Sequence, residues 1–452
     1  MKVAIVGAGW AGCTAAVEAC RLGHQVTLFE AARLAGGRAR RVEVTHNGHK
    51  LTLDNGQHIL IGAYSECLKL MAAVGVDLEA GLLRLPLTMR FPDGSGLQFP
   101  KWPAPLDALA GILGARRWSW RDKVSLLRAA LVWKKNGFTC APQWSVTGLC
   151  GSVSATVMAT LIEPLCVSAL NTPPDRASGA VFLRVLRDAL FSVSGGSNLL
   201  LPRADLSALL PDAALAWLAQ HGGTVKLGTR VQSVRPTQSG RPGARWTLSG
   251  DAFSGLPVTD TLGNFDAVVL ACQPTEAARL AAGCGTASEA WRGQARALKY
   301  EAIATVYAFS PGTRLSEPML ALRSSTAMPA QFVFDRGQLG GDEGLLAFVV
   351  STSQADAATL AAQVQVQAQA QLGLSELQLV QTIVEKRATF ACTPGLQRPA
   401  AQMATGLLAC GDYVDGPYPA TLEGAVRSGL EAARLLGAWK PSRRAAGLVR
   451  LL

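Results

Sequence analysis

Three glycines near the start of the chain, in Gly7-Ala8-Gly9-Trp10-Ala11-Gly12, stand at the spacing G-x-G-x-x-G, and a carboxylate, Glu30, follows downstream. The first glycine of such a run permits a tight turn, the second lets backbone approach a pyrophosphate, and the third allows close packing of the helix that follows. The start of that helix presents free N–H groups and the positive end of its dipole, a seat for an anion. Glu30 stands where it can accept hydrogen bonds from ribose hydroxyls. Gly36-Gly37-Arg38 come next, a glycine pair that leaves room for a guanidinium to clamp phosphate oxygens. Together these residue types serve dinucleotide binding.

Such a set needs a βαβ unit to hold it. The β-branched run Lys2 to Val6 predicts a strand, Gly7 to Gly12 a loop, Cys13 to Leu22 a helix of small residues and Gln25 to Glu30 a second strand. Arg41 to Leu53 alternates around Asn47-Gly48, a hairpin signature that explains His46 and His49 without a metal. From Phe91 to Asn171 the texture shifts to Pro, Trp and long helical stretches, which predicts an insertion. Pro202 to His221 reads as a helix, and Thr224 to Val234 and Ala267 to Ala271 as strands. Strands are again predicted at Ala302 to Phe309, Gln331 to Phe334 and Leu345 to Val350, and a helix at Asp356 to Leu372. Leu407 to Cys410 is a last short strand leading to Gly411-Asp412 and a helix from Leu422 to Leu436.

With 452 residues, 49% of them apolar and 17% charged, and a mean hydropathy of +0.21, the chain is too apolar for disorder and long enough for two domains. A formal charge of +11 favours anionic partners. The ten cysteines lie far apart with no C-x-x-C, as buried thiols of a reducing compartment would, so neither a disulfide framework nor zinc is expected, nor any other metal. The uncharged stretch Asn136 to Ile162 is too rich in Ser, Thr, Gly and Gln for a membrane span. Lys101 to Lys135 carries eight basic residues against two acidic ones, interleaved with Trp102, Trp118, Trp120 and Trp133. That composition suits either an interfacial anchor on anionic lipid or a solvated basic helix over a Trp-rich core. No RNA-binding signature accompanies it, so nucleic acid is not an expected partner.

The glycine fingerprint with Gly36-Gly37-Arg38 resembles the flavin-dependent amine oxidase and carotenoid desaturase superfamily. The segment Leu53-Asp54-Asn55-Gly56-Gln57-His58-Ile59-Leu60-Ile61-Gly62-Ala63-Tyr64 is similar to the stretch that runs along the flavin in phytoene-type desaturases. Residues 409–413 and 420–429 are similar to the terminal flavin motif. With Pro164-Leu165-Cys166, Ala169-Leu170-Asn171-Thr172 and Leu199-Leu200-Leu201-Pro202-Arg203, the chain resembles the squalene-associated FAD-dependent desaturases, a branch understood as hydroxysqualene dehydroxylases. The resemblance implies an α/β fold: a discontinuous Rossmann-like FAD-binding domain (1–65, 192–282 and 388–440) with an inserted α+β substrate and membrane-facing domain of mixed sheet and helices (66–191 and 283–387). FAD would be held by Gly7, Ala8, Gly9, Trp10, Ala11, Gly12, Glu30, Gly36, Gly37, Arg38, Gly56, Gln57, His58, Val231, Gly411, Asp412 and Leu422.

The implied reaction is FADH2-dependent removal of the allylic hydroxyl of hydroxysqualene to give squalene, in bacterial squalene and hopanoid synthesis. It needs a hydride donor, an acid for the departing oxygen and a dry tunnel for an isoprenoid. His58, Asp415 and Tyr418 are the candidate acids. Only one dinucleotide fingerprint is visible, so the flavin is expected to be recharged from outside, by NAD(P)H or a redox protein. The expected location is cytoplasmic, peripheral on the inner face of the cytoplasmic membrane. Two other readings stay open: an oxidative flavoenzyme of the carotenoid desaturase or amine oxidase type, and a non-catalytic flavin-bearing isoprenoid carrier or scaffold.

Overall fold

The computed structural model describes residues 1–192, 194–237, 245–252 and 260–438. Strand β1 (Lys2–Val6) is buried from Val3 onward and pairs in parallel with β2 (Gln25–Phe29) on one side and Ala267–Leu270 on the other. The sheet runs Thr224–Lys226, β2, β1, Ala267–Leu270, Leu407–Ala409, with Gln402–Ala404 antiparallel at its edge. Continuous β-branched and Leu runs fit strands covered on both faces.

Helix α1 spans Trp10–Arg21 and so begins inside the fingerprint, not at Cys13. Gly9 already serves as its N-cap, and nothing in Trp10-Ala11-Gly12 opposes helix. A Cβ at Gly12 would overlap the Gly7 carbonyl oxygen, which is why the turn requires glycine there. Helix Leu422–Ala438 packs along α1, and a Cβ at Gly429 would lie 2.5 Å from the Ala11 carbonyl oxygen. Its Glu423, fully buried, accepts from the Glu66 and Cys67 N–H groups and from Arg427 Nε, so it caps helix Ser65–Ala73.

The hairpin falls where the sequence puts it, Arg41–His46 and His49–Asp54, with Asn47 and Gly48 both at positive φ. The predicted strand Thr224 to Val234 divides at Gly228 (φ +67): Thr224–Lys226 stays in the parallel sheet, and Thr229–Pro236 joins Trp246–Ala252 and Asp260–Phe265 in an antiparallel one. The predicted helix Pro202 to His221 is corrected more strongly. Leu199–Pro202 is a buried strand, Leu206–Leu209 a short helix capped by Asp205, and Pro211–Gln220 a separate helix, because Asp205 and Pro211 each start a new one.

A five-stranded antiparallel sheet runs Met319–Ala321, Phe332–Asp335, Leu345–Ser351, Tyr300–Phe309, Gln378–Phe390. Along Tyr300–Phe309, Ala304, Val306 and Ala308 face helix Ala357–Leu372, while Ile303, Tyr307 and Phe309 face the helical region contributed by residues 89–191. That region includes helices Leu106–Leu113, Trp120–Lys135, Glu163–Leu170 and Gly179–Arg187, the last continuing into a π-helical turn, Asp188–Ser192. Among the described residues no helix is long and apolar enough to cross a membrane.

Candidate active site

A cavity of about 1290 Å³ runs from the carboxyl ends of the parallel strands into the helical region. At its first end Gly7, Gly9, Trp10 and Ala11 line the wall, while Ala8 and Gly12 sit behind it. The start of α1 has no side-chain cap and no acid in its first turn, and a Cβ at Gly9 would meet nothing within 4 Å. Glu30, half-buried, is braced by the Ala8 and Ala32 N–H groups at 2.8 Å each, which fixes its carboxylate beside the glycine turn. The Gly36 N–H donates to the Ala8 carbonyl at 2.8 Å, tying the second glycine motif to the first.

Arg38 lines the cavity and forms an ion pair with Asp412, also donating to the Ala388 carbonyl. The two motif residues, far apart in sequence, are thus one unit. Gly37, Val231, Gly411, Asp412 and Leu422 all line the wall. The hydroxyl of Tyr413 is buried with no partner among the described residues, and its ring lines the cavity too. An uncapped helix start, an open glycine, a braced carboxylate and an orphaned hydroxyl fit a dinucleotide.

Gly56, Gln57 and His58 line the middle of the cavity. His58 Nδ1 donates to the Gly56 carbonyl at 2.7 Å, so the one proton of the neutral ring is committed there. Burial, helped by the Arg38 charge, holds this imidazole below its ordinary pKa. Tyr418 lines the cavity and donates to Asp188 Oδ2 at 2.7 Å; burial and that carboxylate push its phenol well above the ordinary value. Asp415 is not among the lining residues: its side chain is 73% exposed and pairs with Arg398.

Beyond this point the lining turns apolar, with Met89, Phe99, Leu126, Trp133, Phe182 and Phe332 among its residues. Its far end is reached by Leu106, Leu109 and Leu131, which are also 56%, 44% and 67% exposed, so the chamber ends under an apolar surface. The Trp-rich segment divides in two. Trp118 and Trp133 are core, Trp118 donating to Thr160 Oγ1 at 3.0 Å, whereas Trp102 and Trp120 stand in solvent, with Lys123 Nζ 5.3 Å from the Trp120 ring.

Sequence reasoning missed Cys272 and Gln273, which line the cavity just past strand Ala267–Leu270. The carboxyl end of a buried strand beside β1 is where a ligand crevice forms, and that signal was available. Asp188 carries no local signal at all. Among the described residues no group of three His, Cys, Asp or Glu could hold a metal ion, and the ten cysteines are free thiols, mostly buried.

The profile of the flavin containing amine oxidoreductase family matches residues 10–436. The chain is 32% identical over 464 residues to a hydroxysqualene dehydroxylase of Rhodopseudomonas palustris, covering 96% of this chain and 98% of the relative. It is 27% identical to the protein of that name from Sinorhizobium fredii over the same shares of the two chains. Among solved structures it is similar in fold to an oxidoreductase from Methanosarcina mazei (TM-score 0.71, 16% identity, 96% of this chain and all of that one). Cyclohexylamine oxidase from Brevibacterium oxydans gives a TM-score of 0.63 at 14% identity, covering 97% of this chain and 98% of that one. The chain belongs to the flavin containing amine oxidoreductase family and is an FAD-dependent oxidoreductase.

Proposed function

We propose that the chain catalyses the reductive dehydroxylation of hydroxysqualene to squalene, within bacterial squalene and hopanoid synthesis, at the inner face of the cytoplasmic membrane. The observation that carries this reading is the continuity of the cavity, from the dinucleotide cradle through a polar middle to a long apolar chamber that ends under exposed Leu side chains. The full-length likeness to proteins named hydroxysqualene dehydroxylase supports it.

In this reading the N–H groups at the start of α1 hold the pyrophosphate, Glu30 holds the adenosine ribose, and Arg38 with Asp412 fixes the loop at the middle of the cofactor. The start of helix Leu422–Ala438 offers partial positive charge to the flavin ring, which favours its reduced anion. Reduced FAD, when bound, supplies the hydride. The apolar walls exclude water and take up the isoprenoid chain, each methylene drawn from bilayer to protein avoiding a water-transfer cost of about 0.8 kcal/mol. Trp102, Trp120, Leu106, Leu109 and Leu131, with Arg116, Arg117 and Arg121 nearby in sequence, seat the chamber mouth on anionic lipid. The electrons come from NAD(P)H or a redox protein.

Anaerobic mixing of photoreduced protein with hydroxysqualene tests the reading. Squalene formed together with flavin reoxidation is the expected result. Inert reduced flavin despite bound substrate would instead identify a carrier, and reduction of oxidised enzyme by a polyene or an amine would identify an oxidase or desaturase.

A further inference from the structure

We propose that Asp188 and Tyr418 form the acid relay that protonates the oxygen leaving the substrate, an inference that rests on the dehydroxylase reading. An alcohol carried into an apolar chamber must find a polar partner for its oxygen, since an unpaired hydroxyl in such surroundings is costly. The wall contributed by residues 66–191 contains one carboxylate among its described lining residues, and it is Asp188. Both of its oxygens are engaged: Oδ2 accepts from Tyr418 Oη at 2.7 Å and Oδ1 from Arg187 Nε at 2.9 Å. Asp188 opens the π-helical turn Asp188–Ser192, a local geometry that recurs at functional sites.

Tyr418 is fixed from the other side. Its carbonyl accepts from Thr421 Oγ1 at 3.0 Å, a Cβ at Gly424 would overlap that carbonyl, and the Arg427 guanidinium lies 4.9 Å from its ring. Ala420, Thr421 and Leu422, at the start of the closing helix, line the same cavity, so the phenol stands between the carboxylate and the flavin-facing turn.

The step balances as follows. A solvent proton taken up past Arg187 first converts Asp188 from the carboxylate that accepts from Tyr418 into a carboxylic acid, and Asp188 then gives that proton to Tyr418 Oη as Tyr418 gives its hydroxyl proton to the substrate oxygen. The C–O bond breaks, and water departs with the bonding pair. The electron pair of the new C–H bond arrives as hydride from reduced flavin, the reductant, which is thereby oxidised. Asp188 ends as a carboxylate beside Arg187, whose side chain is 43% exposed and opens a route for a solvent proton to restore it.

The test uses oxidised holoenzyme, in which no turnover intervenes, and labelled hydroxysqualene or squalene partitioned from detergent micelles. Wild-type protein is expected to prefer the alcohol by about tenfold. Tyr418→Phe and Asp188→Asn should abolish that preference while leaving squalene affinity and flavin content unchanged. Single-turnover squalene formation by the reduced variants should fall roughly 10²- to 10⁴-fold. Retention of the preference and of the rate within about threefold in both variants overturns the relay, as does parallel weakening of alcohol and hydrocarbon, which marks a structural pair. If Asp188→Asn loses its flavin, Tyr418→Phe, which deletes one oxygen, decides alone. A wild type that prefers the alcohol but forms no squalene sinks the dehydroxylase reading and the relay step with it, whereas squalene formation without any preference sinks the relay only.

Discussion

At the scale of single residues, Glu30 braces the glycine turn through Ala8 and Ala32, and in the proposed reading it also keeps lone pairs for a ribose. Replacing it with alanine removes two charge-assisted bonds and should weaken FAD retention by roughly 2 kcal/mol, read by flavin release during dialysis. His58 gives a pH signature. Its folded pKa lies below that of the unfolded chain, so the unfolded state takes the proton first, and the stability that depends on a neutral ring is present above pH about 6.5 and lost as pH falls. The drop in urea midpoint between pH 7.5 and pH 5.5 should therefore be smaller in His58→Gln than in wild type. That Gly7, Gly9, Glu30, Gly36, Gly37 and Arg38 gather along one cavity wall is legible in the sequence because it follows from local spacing. The bond between Tyr418 and Asp188 spans 230 positions and follows no short-range rule, so folding alone reveals it.

At the scale of elements, close approach governs the outcome. Gly12→Ala and Gly429→Ala each force a methyl into backbone, and each should cost about 2 kcal/mol or more, seen as a lower melting temperature with loss of bound flavin. Asp54, at the end of strand His49–Asp54, accepts from the Leu206 N–H at 2.8 Å, and burial raises its carboxyl to about 6. A group that holds its proton more tightly when folded stabilises below the unfolded pKa and loses that contribution as pH rises through about 6. Asp54→Asn keeps an acceptor and discards the buried charge. Wild type should consequently be weaker relative to this variant at pH 7.5 than at pH 4.5, by roughly 2 kcal/mol in urea titrations. Element types came through in the sequence where burial is one-sided or complete, as in β1 and Leu345–Ser351. Strand Gln378–Phe390 escaped notice because Gln378, Gln381, Glu385, Lys386 and Arg387 break its apolar pattern. Strand Leu199–Pro202 carries no sequence signal of its own, because a short buried Leu run has no period, and only its last residue falls in the helix expected over Pro202 to His221.

At the scale of the whole molecule, the exposed apolar rim and the cations near it should act together. Reversing Arg116, Arg117 and Arg121 to Glu is expected to cut flotation with phosphatidylglycerol vesicles by at least tenfold, at about 1 kcal/mol per cation, with little change on neutral vesicles. Unchanged flotation would remove this face as the anchor. The order of the parallel sheet carries a consequence for biogenesis. Its central neighbours are drawn from residues 2–6, 267–270 and 407–409, and helix Leu422–Ala438, which the proposed reading sets against the flavin, reaches residue 438. On that reading, a ribosome that has released most of the chain has still not produced a complete seat for the prosthetic group. Arrested nascent chains ending before residue 400 should remain colourless when offered FAD, and yellow should develop only after the last helix has cleared the exit tunnel.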